Sequence, residues 1–157
     1  MGIHANSWIA SALACLDDGQ DIVLVTVTAT KGSSPRDHGS QMLVTETGIW
    51  QTMGGGAFEF DVMARARKML ASDDDDWRRQ HMTVILGPDM GQCCGGQMSL
   101  LLEKFTAKQA GALAALAQQD HHGHMLAHPL ESGVPLTLQS AQSSFDDAVF
   151  MAPVMPR

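Results

Sequence analysis

Two thiols stand side by side in the run Gly91-Gln92-Cys93-Cys94-Gly95-Gly96. Flanking glycines allow positive φ and close approach of a backbone to a bulky group, so the pair reads as presented to a ligand rather than packed away. A disulfide between sequence neighbours is strained, because adjacent Cα atoms lie ~3.8 Å apart and bridged pairs usually sit farther apart. Thiol chemistry or ligation of a soft metal is therefore the leading expectation for Cys93 and Cys94, with a cation such as Arg36 favouring the thiolate. Structural zinc fits poorly, since paired CxxC units are its usual mark and no second unit is present.

Two further loops have chemical potential. The segment Lys31-Gly32-Ser33-Ser34-Pro35-Arg36 offers two cations, the Ser33 and Ser34 hydroxyls and free backbone amides just beyond a strand-like run. That set suits an anion, and a planar guanidinium grips phosphate well, although an ordinary connecting loop explains it slightly better on its own. Gly54-Gly55-Gly56 opens a helical pattern, where unpaired amides and the positive end of the dipole favour phosphate. It lacks the lysine and hydroxyl of a nucleotide P-loop and the GxGxxG spacing of a dinucleotide fold. Glu59, in the first helical turn, either favours the helix terminus or faces a ligand. His121, His122, His124 and His128 match no standard metal spacing and are expected at the surface.

The elements that must position these loops emerge from periodicity. Helices are expected over residues 6–18, capped by Asn6, over 57–70, with an Asp61–Arg65 ion pair, and over 106–119, where Thr106 and Gln109 have capping-box form. Cys15 falls on the apolar stripe of the first helix and reads as core. The β-branched run 21–30 predicts a central strand covered on both faces. Residues 41–45 and 49–52 predict a hairpin, 81–86 and 98–103 two more strands, and 125–130 and 135–138 edge strands. Residues 141–157 read as a loosely ordered tail or linker. The expected fold class is α/β or α+β, a single domain with a mixed central sheet flanked by three helices.

Composition narrows the function. With 157 residues and 45% hydrophobic content the chain can bury one core. A net charge of −7 argues against a nucleic-acid surface, and no run approaches 18 apolar residues, so neither nucleic acid nor membrane is an expected partner. No export signal is visible at the N-terminus, and three cysteines suit a reducing compartment; a cytoplasmic location is expected. Eleven methionines and no tyrosine point to a plastic core, and a methionine-rich surface suits a homodimer or another partner.

Three motifs, GSSPRDHGSQMLVT at 32–45, GGGAFE at 54–59 with Arg65-Ala66-Arg67, and LGPDMGQCCGG at 86–96, resemble the N-terminal domain of the XdhC/CoxI family. These are xanthine dehydrogenase accessory proteins that handle molybdenum cofactor. The resemblance runs from about the first helix to Glu103. It implies a non-catalytic chaperone that binds molybdopterin, protects its sulfurated form and delivers it to a xanthine dehydrogenase or carbon monoxide dehydrogenase-like enzyme, often with a cysteine desulfurase as sulfur source. On that reading the cofactor phosphate sits near Lys31, Ser33, Ser34, Arg36 and the amides of Gly54, Gly55 and Gly56, beside Glu59. Its molybdenum lies near Cys93 and Cys94, within the loop of Gln92, Gly95 and Gly96. Typical members continue into a Rossmann-like domain that opens with a GAGHxG-type fingerprint, which this chain does not contain. The expected layout is a domain over 1–140 and a tail or truncated linker over 141–157. The alternative is a thiol-based sulfur-transfer or redox protein using Cys93 and Cys94, for which adjacent cysteines are a poor geometry for resolution.

Overall fold

β-branched residues crowd the strand β1 (Ile22–Lys31), and six successive positions from Ile22 are buried. A run of that kind fits only where both faces of a sheet are covered. The computed structural model describes residues 8–32, 39–51, 56–85, 96–119, 124–140 and 149–153. In chain order the other elements are α1 (Trp8–Asp17), β2 (Gln41–Val44), β3 (Ile49–Trp50), α2 (Gly56–Leu70), β4 (Arg79–Ile85), β5 (Gln97–Phe105), α3 (Ala107–Gln118), β6 (His124–Pro129), β7 (Thr137–Ser140) and β8 (Val149–Pro153). β1 is the middle strand of a sheet ordered β3-β2-β1-β5-β4.

Alternation along β1 assigns the two faces. Val23, Val25 and Val27 join Met42, Val44, Met98, Leu100 and Leu102 beneath Phe58, Val62, Ala66 and Met69 of α2. Ile22 and Leu24 point the other way, into a cluster with Ile9, Ala12 and Leu16 of α1, Leu113 and Leu116 of α3, and Leu126 of β6. Each such fully buried side chain contributes on the order of 1.5–3 kcal/mol, so these two clusters hold the layers together. Cys15 belongs to the second cluster, as expected from its stripe. Burial, and then the nearby Asp18, push its thiol above the ordinary value, which leaves it inert.

The α/β or α+β class with three helices around a central sheet holds. In place of the expected mixed sheet, every ladder among the described residues is antiparallel. α3 starts as its capping box requires: the Thr106 hydroxyl accepts from Lys108 N–H at 3.2 Å, and the Gln109 carboxamide oxygen accepts from Thr106 N–H at 2.8 Å. α1 stops at Gly19, whose φ of +81° suits a residue without Cβ. Asn6 lies outside the described residues. Asp61 and Arg65 form no ion pair among the described residues; both are exposed, where water competes with the contact.

The C-terminal third departs further from expectation. The pattern of residues 125–130 suggests an edge strand, but β6 is the middle strand of a second sheet ordered β7-β6-β8. β8 lies inside 141–157, a stretch whose composition suggests a loose tail. Its pairing with β6 is a contact across sequence, Leu126 opposite Ala152, which local pattern does not reveal. Among the described residues no helix is long and apolar enough to cross a membrane.

Candidate functional site

The loops singled out by chemistry leave the main sheet at one end. β1 and β5 stay paired to their extremities, with Lys31 opposite Gln97, and β4 closes alongside with Ile85 opposite Gln97. One step beyond, Gly32 faces Gly96: a Cβ placed on Gly32 would sit 3.4 Å from the Gly96 Cα, and Gly32 has φ +67°. Glycine at both positions lets two backbones run this close while one turns through the left-handed region. The segment that begins at Ser33 and the segment that contains Cys93 and Cys94 therefore depart from adjoining backbone.

A bulge tunes this end of β1. The register with β5 shifts between Val27 and Ala29, and the Thr28 hydroxyl donates to the Ser99 carbonyl at 3.2 Å. Such an extra residue bends the strand and re-aims the residues beyond it. The loop after β1 returns to its own strand, with Gly39 N–H donating to the Val27 carbonyl at 2.6 Å and Val27 N–H to the Ser40 carbonyl at 2.9 Å.

α2 runs against β1. Its C-terminal end is pinned near the start of the strand: the Arg67 guanidinium donates to the Thr45 carbonyl at 3.1 Å, and the Lys104 ammonium to the Ser72 carbonyl at 2.7 Å, Lys104 being opposite Val23. Gly56 begins the helix 14 residues before Leu70, about 21 Å away along the axis, towards the end from which Lys31 and Gly96 emerge. It has φ +73°, and among the described residues nothing lies within 4 Å of where its Cβ would be. Glu59 is half-buried in the first turn, a favourable place for a carboxylate against the helix dipole.

Of the expected site residues, Lys31, Gly56, Glu59 and Gly96 are among those described. Gly32, Gly96 and Lys31 adjoin, and the first turn of α2 opens in the same direction. Lys31, however, stands on the sheet face away from α2. Its row, Lys31, Gln97 and Ile85, is the exposed one, whereas Met98 and Val84 of the next row are buried under the helix. Ser33, Ser34, Arg36, Gly54, Gly55, Gln92, Cys93, Cys94 and Gly95 lie outside the described residues, as do His121 and His122.

A second polar constellation escaped sequence reasoning. Arg79 of β4, Glu103 of β5 and His128 of β6 are almost wholly shut from water. Glu103 accepts from Arg79 Nε at 2.9 Å and from His128 Nδ1 at 2.7 Å; an ionised carboxylate can only accept, so Nδ1 carries the proton. Arg79 also donates to the Glu131 carbonyl at 2.8 Å and lies over the Trp77 ring at 5.7 Å. Burial, the largest single influence, would raise the Glu103 carboxyl; the charge and hydrogen bond of His128, then those of Arg79, together outweigh it and hold the group below the ordinary carboxylate range. Contrary to its expected place at the surface, His128 is core, because Glu103 gives its ring a charged partner there. The available signal was Glu103 itself, a lone carboxylate inside the apolar run of β5. Shut from solvent on all sides, the trio joins the two sheets and offers no access to substrate.

A stretch of about two fifths of the chain has the pattern of a known family. Residues 15–80 match the XdhC and CoxI family. The XdhC and CoxI match takes in β1, β2, β3 and α2, with the segments that carry Lys31, Ser33, Ser34, Arg36, Gly54, Gly55, Gly56 and Glu59; the cysteine loop lies outside it. Among solved structures, a protein described as a xanthine dehydrogenase from Bacillus halodurans superposes with a TM-score of 0.70 at 19% identity. The superposition covers 95% of this chain and 53% of that one, so the chain spans about half the length of its structural relative. At that identity the likeness establishes the fold. No curated protein matches the chain.

Proposed function

We propose that this chain is a non-catalytic accessory protein that holds molybdenum cofactor and hands it to a xanthine dehydrogenase or carbon monoxide dehydrogenase-like enzyme. The observation that carries the reading is the contact of Gly32 with Gly96, which makes the basic segment and the thiol segment neighbours at their roots. The direction of α2 adds a helix N-terminus at the same end.

The donor set suits the ligand. When bound, the cofactor brings a terminal phosphate and a soft molybdenum–sulfur centre. Backbone amides at Gly54, Gly55 and Gly56, with Ser33, Ser34 and Arg36, would hold the phosphate, and Lys31 would approach from the other face of the sheet. Cys93 and Cys94, between Gln92 and Gly95-Gly96, would face the metal end, where thiolate matches a soft centre. Glu59 would orient the first turn of α2 rather than touch the anion, since like charges repel. A cysteine desulfurase is the fitting source of the sulfur that the carrier protects. The reducing cytoplasm is where such thiols would persist.

The test is retention. The chain is purified from cells that make molybdenum cofactor, and bound pterin and molybdenum are quantified by mass spectrometry and absorption spectroscopy. Wild type should retain the cofactor near stoichiometrically, and the Cys93→Ala, Cys94→Ala double variant should lose most of it. Equal retention by the two would refute the assignment of the thiols; a persulfide on either cysteine with no bound pterin would point to a sulfur-transfer protein instead.

A further inference from the structure

The threonines of β1 differ in what their hydroxyls do. Thr26 accepts from Gln41 Nε2 at 3.3 Å, and Thr28 donates to the Ser99 carbonyl at 3.2 Å. The Thr30 hydroxyl, one residue before the strand ends, meets no hydrogen-bond partner among the described residues. It is nevertheless half-buried, between the exposed Ala29 and the exposed Lys31. A partly shielded hydroxyl with no bond of its own is a donor open to a ligand.

The bulge decides which face receives it. Val27 lies under α2, so strict alternation from there would bring Lys31 to the α2 face and send Thr30 to the other. The register shift between Val27 and Ala29 reverses that order. Thr30 pairs with Met98, which pairs in turn with Val84, and both of these are buried in the cluster beneath α2. Lys31 pairs with Gln97 on the open face. Height agrees with face. Lys104 pins the end of α2 through the Ser72 carbonyl, and from Lys104 to Met98 is about 20 Å along β5, close to the rise of α2 from Leu70 back to Gly56.

We propose that Thr30, and not Lys31, is the β1 residue that touches the bound anion, and that the bulge at Thr28 sets how readily the cargo leaves by keeping an ammonium off that face. This rests on the carrier reading, and the anion is the phosphate monoester of the cofactor. An ammonium in contact with phosphate adds the attraction of opposite charges to its hydrogen bond, whereas a hydroxyl supplies the hydrogen bond alone. A protein that must hand its cargo on is served by the weaker grip. Lys31 acts from the opposite face at longer range. A charge in that position raises the rate of encounter with an anion and is screened by salt, while a group in contact sets the rate of departure.

The test times loading and release separately. The full chain is purified with cofactor bound, and loss of pterin is followed by filtration and mass spectrometry. Thr30→Val keeps the shape without the hydroxyl and should release about tenfold faster, with loading unchanged; Thr30→Ser should restore the wild-type rate. Lys31→Ala should slow loading and flatten its salt dependence while release stays as in wild type. The exchange of Thr30→Lys with Lys31→Thr carries the ammonium to the α2 face and should slow release at least about tenfold. A second measurement needs no cofactor: titration with inorganic phosphate should move the Thr30 methyl resonance and leave the Lys31 Cε resonance in place. With pterin bound to wild type, an unchanged release rate in Thr30→Val, or a phosphate response at Lys31 alone, overturns the proposal and leaves the carrier reading standing. A wild type that retains no pterin overturns both.

Discussion

Replacing Glu103 by glutamine keeps the shape of the side chain and deletes its charge. Arg79 would then stand nearly buried with no counter-ion, and His128 would lose the carboxylate that accepts from Nδ1. Removing one member of a buried ion pair typically costs about 3–5 kcal/mol, because the partner's desolvation is left uncompensated. A chain of 157 residues has a total stability of about 8–24 kcal/mol, so the loss is a substantial fraction of the whole. It should lower the melting temperature by about 6–20 °C, measured by circular dichroism at neutral pH, with a matching fall in the urea midpoint. Replacing all three groups by apolar residues, Arg79→Met, Glu103→Leu and His128→Phe, should recover most of that loss, since no charge then remains to be buried. Acid supplies the second arm. The folded-state carboxyl is held below its unfolded value, so its contribution is fully present above the ordinary glutamate range and disappears as pH falls through the folded value. Glutamine does not titrate, so the gap between wild type and variant should close in acid. A loss below about 1 kcal/mol, the range of exposed pairs, or a gap that stays constant from neutral pH into acid, would refute the reasoning.

Other substitutions probe the scaffold and the loop roots. Thr106→Ala removes the N-cap acceptor of α3 and should cost about 1 kcal/mol in urea denaturation. Phe58→Ala empties a fully buried site between α2 and the sheet and should cost about 3–5 kcal/mol, read in the same assay. Gly32→Ala forces a Cβ into the left-handed region and should cost about 1–2 kcal/mol; under the carrier reading, cofactor retention should fall with it.

Much of the scaffold was legible because its signals are local. The capping box of α3, the glycine stop of α1 and the β-branched run of β1 each declare themselves within a few residues, and each is present as expected. What escaped was non-local. β8 becomes a strand only through β6, and His128 is buried only because Glu103, 25 positions earlier in the chain, gives its ring a partner. The thiol and basic loops could be recognised by composition, but the face on which Lys31 stands could not. That depends on the bulge at Thr28, an extra residue that resets the alternation of the strand's end.

The long-range closure of β1 has a consequence for biosynthesis. Its neighbour on one side, β2, comes within a short span, but the other, β5, lies some seventy positions downstream, as the hydrogen bond from Thr28 to Ser99 records. A nascent chain emerging from the ribosome thus carries its most apolar segment half-paired until Phe105 has left the exit tunnel. Translation speed between those points, and a chaperone able to cover β1 meanwhile, should govern how much of the product escapes aggregation.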